Sequence, residues 1–211
     1  MPNYRGNFEV HLTVRAGDAL EAFRAWCEAE GCKCVRIVLD RGAKVEQPMA
    51  TWRRGDTVLP QVLAEANERA QELERAGFGV VRVKIEADPA NDDVPTTAES
   101  ALREPAGNYF EHHVKLLRPM SADREQLLQL CLAHDAHLSR NAWKTPAAGF
   151  EERFVTLRTY RVGRSASAAR LQQLVAALAA AREQIVDVES EYTVYDSNLA
   201  LDAGWLPPAE H

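Results

Sequence analysis

Along residues 8–14 the chain alternates strictly. Phe8, Val10, Leu12 and Val14 are apolar, and Glu9, His11 and Thr13 stand between them. Period two is a strand with one apolar and one polar face. A helical pattern follows from Asp18 to Glu30, closed by Gly31 as a C-cap. CVRIVL is a β-branched strand, a turn at Asp40-Arg41-Gly42 leads to a strand MATWR, and Val58 to Ala76 repeats the helical period. VVRVKIEA is a fourth strand with Arg82, Lys84 and Glu86 on one side. The order β-α-β-β-α-β is the ferredoxin-like unit.

The same order returns in the second half. YFEHHVKLL is a strand, and Asp123 to His134 is a helix. HLSRNA and ERFVTLRTYR are strands, Ser167 to Gln184 is a helix, and VESEYTVYD is the last strand. Residues match in order between the halves: Phe8, Glu9 and His11 with Phe110, Glu111 and His113, Cys27 with Cys131, Arg36 with Arg140. TWRRG, carrying Arg53, is matched with TYRVG, carrying Arg161. Self-similarity on this scale signals a duplication. The expected fold is α+β: two ferredoxin-like repeats over residues 1–87 and 108–198, joined by a linker at 88–107, with a tail at 199–211. In this fold two antiparallel sheets carry their helices outside and share a cleft. The tail is expected to pack Leu201, Trp205 and Leu206 onto the body.

If the helices cover the apolar face of each first strand, Glu9, His11, Thr13, Glu111, His113 and Lys115 lie on the open faces. Charges half-buried between two sheets cost several kcal/mol, about 3–5, unless paired. Two facing repeats, related by a pseudo-twofold, would bring these six residues into one cleft. A dimer covering each open face with another chain satisfies the same pattern, so monomer and homodimer both stand.

Two Glu-x-His pairs offer Glu9, His11, Glu111 and His113 as ligands for zinc, manganese or iron. The paired arginines, Arg36 with Arg140 and Arg53 with Arg161, offer guanidinium forks for a small anionic or zwitterionic ligand. The plainer alternative is a set of salt bridges across the repeat interface.

HLTV, at His11 to Val14, resembles the H-x-[ST]-h motif of the 2H phosphoesterases, the LigT-like superfamily. That resemblance implies a bilobal duplicated fold with His11 and His113 as metal-free acid and base. It implies phosphate held by Thr13 and, where the motif has Ser or Thr, by Lys115. FExHLTV, YFEHHVKL, HLSRNA and the late YDSxLxLDxGW pattern also resemble segments of a group of uncharacterised bacterial proteins, which implies no activity.

Composition narrows the classes. With 46% hydrophobic and 27% charged residues in 211, the chain reads as an ordinary folded domain pair. A net charge of −6 argues against a nucleic-acid partner. No apolar run is long enough for a membrane span, and MPNYRGNFEV lacks the apolar core of a secretion signal. The four cysteines, Cys27, Cys32, Cys34 and Cys131, are too few for a disulfide scaffold. The expectation is a cytoplasmic protein that binds or processes a small molecule.

Overall fold

The computed structural model describes residues 4–17, 19–144 and 148–205. Its elements follow in the order β1 (Arg5–Val14), α1 (Leu20–Ala29), β2 (Lys33–Leu39), β3 (Glu46–Val58), α2 (Leu59–Arg75) and β4 (Val80–Ala87). A short α3 (Ala98–Ala101) lies between the halves. Then come β5 (Tyr109–Pro119), α4 (Arg124–Ala133), β6 (Ala136–Asn141), β7 (Phe150–Tyr160), α5 (Arg164–Ala180) and β8 (Gln184–Asp196). The β-α-β-β-α-β order holds in both halves. Asp18, read as the first residue of the first helix, lies outside the described residues. The last helix begins at Arg164 and stops at Ala180, because β8 starts four residues before VESEYTVYD.

All pairings are antiparallel, and the strands close in the order β1-β3-β2-β6-β7-β5-β8-β4. The expected pair of separate sheets is therefore one eight-stranded barrel. Each repeat supplies four consecutive strands. Two seams join them. At one, Ile37, Val38 and Leu39 pair with Asn141, Arg140 and Ser139. At the other, Lys84 to Ala87 pair with Asp196 to Tyr192. Closure gives the edge strands of each repeat a partner in the other and removes exposed edges that would otherwise invite association.

The apolar residues of β1 face outward, as the alternation requires. Phe8, Val10, Leu12 and Val14 pack with Phe23, Cys27, Val62, Ala66 and Leu73 of α1 and α2. In the second half Val114, Leu116, Leu138, Val155 and Leu157 meet Leu127, Cys131, Leu174 and Leu178 of α4 and α5. Each fully buried Leu, Val or Phe contributes about 1.5–3 kcal/mol, so two cores outside the barrel hold its wall. Cys27 and Cys131 are small buried hydrophobes at equivalent places. Gly31, at φ +65°, ends α1 with its N–H on the Glu28 carbonyl.

His112 sits on the same outward face. Its ring nitrogens meet Ser190 Oγ at 2.8 Å and Ser167 Oγ at 2.7 Å. Ser167 is itself bonded to Thr159. Burial pushes the His112 ring down to about 4. A buried polar ring in an apolar layer is tolerated because both nitrogens are satisfied.

In the tail, Leu201 and Trp205 are buried, and Trp205 lines the interior of the barrel. Its indole N–H donates to the Leu138 carbonyl at 3.0 Å, and the Ala43 N–H donates to the Ala203 carbonyl at 3.0 Å. Gly42, at φ +113°, permits this approach, since a Cβ there would come within 3.1 Å of Trp205. Leu206 lies outside the described residues.

Candidate functional site

With the apolar residues outside, period two turns every other side chain into the barrel. The interior holds a cavity of about 180 Å³, well above the roughly 10–15 Å³ that one water needs. Glu9, His11, Thr13, Glu111 and His113 all line it. Lys115, next along β5, pairs with Glu152 at 2.9 Å.

The register explains how each histidine is held. His11 lies opposite Thr51 on β3, and His113 lies opposite Thr156 on β7. His11 Nδ1 is 2.9 Å from Thr51 Oγ1, and His113 Nδ1 is 3.0 Å from Thr156 Oγ1. His11 Nε2 is 2.7 Å from Glu86 Oε2, and His113 Nε2 is 3.1 Å from Glu111 Oε1. A carboxylate only accepts, so Nε2 carries the proton and donates. In the neutral ring Nδ1 is then the acceptor, and the threonine hydroxyl donates to it. The two repeats thus present the same threonine–histidine–carboxylate string.

Lys84 joins the strings. Its Nζ lies 2.7 Å from Glu86 Oε1 and 2.6 Å from Glu111 Oε1. The hydrogen-bonded path runs Thr51–His11–Glu86–Lys84–Glu111–His113–Thr156 across the barrel. From Glu111 it continues to Arg158. Arg158 reaches Asp202 at 2.9 Å, and Asp202 reaches Arg82 at 3.1 Å. Arg82 also holds Asp196, with Nε at 2.9 Å. Gln47 donates to the second Asp202 oxygen at 2.9 Å.

Burial and neighbours set the charges. Desolvation disfavours the ionised form of Glu111, but Arg158 and Lys84 overcome it and hold that carboxyl well below its usual range. Glu86 is likewise lowered against desolvation, by Lys84 and His11. Lys84 is desolvated too, yet Glu111 and Glu86 raise it well above an ordinary lysine. Glu191 goes the other way. Burial first, then Glu86, Glu9 and Glu111, push its carboxyl well above the ordinary range. The one basic side chain within 4.0 Å of it among the described residues is His113, with Nε2 at 3.8 Å.

The opposite wall is mainly apolar, with Lys33, Ser139, Asn141 and Lys144 beside its hydrophobic residues. Val35, Ile37 and Leu39 of β2, Met49 of β3, Phe154 of β7 and Trp205 line it. β8 pairs with β4 only from Tyr192 onward, and exposed Glu189 before that pairing lines the cavity, as do exposed Lys33 and Lys144 elsewhere on its wall. A neighbouring groove shares Glu9, Glu86, Glu189 and Glu191 with the cavity and adds Arg53 on its rim.

The candidate arginines separate. Arg53 reaches Glu9 at 2.8 Å and Glu189 at 3.5 Å while 71% exposed. Arg36 points outward to Glu46, and Arg140 is exposed. Arg161 follows β7 at φ +54° and is exposed, away from the cavity. The matching of TWRRG with TYRVG is off by three residues. Glu9 pairs with Arg53 and Glu111 pairs with Arg158, so the true counterpart of Thr51-Trp52-Arg53 is Thr156-Leu157-Arg158. Trp52 and Tyr160 share only their aromatic character, whereas both repeats place the same Thr-x-Arg spacing against the glutamate and histidine that face inward.

The four candidate metal ligands share the cavity but are engaged separately: Glu9 by Arg53, Glu111 by Lys84 and Arg158, and the histidines as above. Among the described residues no group of three or more His, Cys, Asp or Glu side chains is placed to hold a metal ion. No described helix is long and apolar enough to cross a membrane.

No family model and no curated protein sequence matches the chain. Among solved structures, the small subunit of acetolactate synthase from Thermotoga maritima is similar at 13% identity and a TM-score of 0.31, over 90% of this chain and 95% of that one. The fold and the site define a single-chain α+β barrel with a two-faced interior.

Proposed function

We propose that the chain binds a small amphipathic organic molecule inside the barrel. One observation carries this: a cavity of about 180 Å³ with a carboxylate and histidine wall on one side and Val35, Ile37, Met49 and Phe154 on the other. Ligand sites are typically concave, apolar over most of their lining, and marked by a few converging polar groups. A phosphodiester would meet Glu9, Glu86, Glu111, Glu189 and Glu191 on the polar wall, and like charges disfavour it. For His11 or His113 to exchange a proton directly with a bound molecule, a ring nitrogen must leave its threonine or carboxylate, so binding is the activity the cavity supports best.

A thermal-shift screen of small amphipathic compounds tests this. A ligand at about one hundred times its Kd adds about 2.7 kcal/mol, or roughly 5–11 °C in a chain of this size. Val35→Phe fills the cavity and should abolish the shift while the barrel stays folded. A library that shifts neither protein, or shifts both equally, refutes the proposal.

A further inference from the structure

Resting on that cavity, we propose that the ligand carries a protonated amine, seated among Glu9, Glu86, Glu189 and Glu191 where the cavity opens to the groove. Around this opening four carboxylates, Glu9, Glu86, Glu111 and Glu189, and the carboxyl of Glu191 face Arg53, Lys84 and Arg158, while Arg54 on the groove is bound to Glu65. Lys84 and Arg158 are spent on Glu86 and Glu111 deeper in. That leaves Arg53 alone to cover Glu9, Glu189 and Glu191, and it touches only the first two. Glu191, 16% exposed at its side chain, has no hydrogen-bond donor among the described residues.

The structure already shows what the opening attracts. In the second repeat Arg158 lies buried on Glu111. In the first, the equivalent Arg53 swings over the opening from outside, its guanidinium on Glu9 and Glu189. An arriving ammonium would take the remaining place beside Glu191, with its carbon chain running toward Val35, Ile37 and Met49. Ammonium groups donate three hydrogen bonds and need acceptors around them, and no other part of the cavity wall offers carboxylates without a cation.

A proton accompanies the event. The groups facing Glu191 are Glu9 on β1, Arg53 on β3, Lys84 and Glu86 on β4, and Glu111 and His113 on β5, with Glu189 on its own strand. Their net negative field and burial hold Glu191 protonated. A bound cation reverses that preference, so Glu191 gives its proton to the buffer as the ammonium docks.

Calorimetric titration of the full chain with pentylamine, pentan-1-ol and pentanoate, which share a carbon skeleton, tests the proposal. The amine should bind at least about tenfold more tightly than the alcohol, with pentanoate weakest. The heat of amine binding should change with the ionisation enthalpy of the buffer, showing about one proton released. Glu191→Gln should erase that buffer dependence and most of the preference for amine. Arg53→Gln should tighten amine binding by removing the resident cation. Equal affinity for amine and alcohol overturns the ammonium head while the cavity stands. Binding of none of the three overturns both.

Discussion

Lys84 is the joint on which the interior depends, and replacing it with methionine should be costly in a way that depends on pH. Methionine keeps the length and apolar stem but removes the charge between Glu86 and Glu111. Glu86 keeps His11 at 2.7 Å and Thr193 Oγ1 at 3.3 Å, and Glu111 keeps Arg158 and His113 at 3.1 Å, so neither is stranded outright. Removing one partner from a buried ionic group costs about 3–5 kcal/mol. In a domain of this size that is a fall in Tm of roughly 6–20 °C. In the wild type both carboxyls are depressed. Their stabilisation is present above the ordinary carboxylate value of 4.5 and is lost as pH falls through their lowered folded values. In Lys84→Met both carboxyls rise, so the deficit is largest at neutral pH and shrinks toward pH 4, where the variant can protonate them. Urea denaturation of both proteins from pH 4 to 8 measures this. A deficit below about 1 kcal/mol at pH 7, the scale of a surface pair, would refute the reasoning. So would a deficit that grows on acidification.

Other substitutions report on other parts of the account. Glu191→Gln should stabilise the protein at pH 7: a carboxyl with a raised folded value favours folding below 4.5 and loses that advantage as pH rises through the folded value, so the gain should vanish in acid melts. His112 stays neutral in the fold until about pH 4 while an unfolded histidine protonates near 6.5, so the wild type should lose stability between those values. His112→Gln should flatten that part of the curve in pH-resolved denaturation. Thr156→Val removes the hydroxyl that His113 Nδ1 accepts from, and should cost about 1–2 kcal/mol by chemical denaturation. Trp205→Ala removes a buried ring that lines the cavity and should cost about 3–5 kcal/mol, with calorimetry reading the fall in Tm.

Much of this was legible as period two. FEVHLTV and YFEHHVKL turn Glu9, His11, Glu111 and His113 to one side whatever the architecture, and all four line the cavity. The same alternation in VVRVKIEA placed Arg82, Lys84 and Glu86 together. Closure was not legible. The seam residues Ile37, Val38 and Leu39 read as any apolar strand, and nothing local tells an edge that pairs with its own chain from one that meets another. The apolar wall was hidden for a related reason: Val35 and Met49 lining a cavity have the same pattern as residues in a core. Arg158 was missed because identity scoring favours Trp and Tyr, whereas the conserved requirement is a threonine under the histidine and an arginine under the glutamate. Asp202 belongs to the tail, and only the tertiary fold brings it 2.9 Å from Arg158.

The central claim is that the interior of this barrel, and not its outer surface, receives a small amphipathic ligand. Methyl NMR during titration with pentylamine and, separately, pentan-1-ol tests it most directly. Val35, Ile37, Leu39 and Met49 report on the cavity, and Val62, Leu127 and Leu174 report on the outer cores. The account predicts saturable shifts confined to the first set. Shifts confined to the outer set, or none in either set with both compounds, would contradict it.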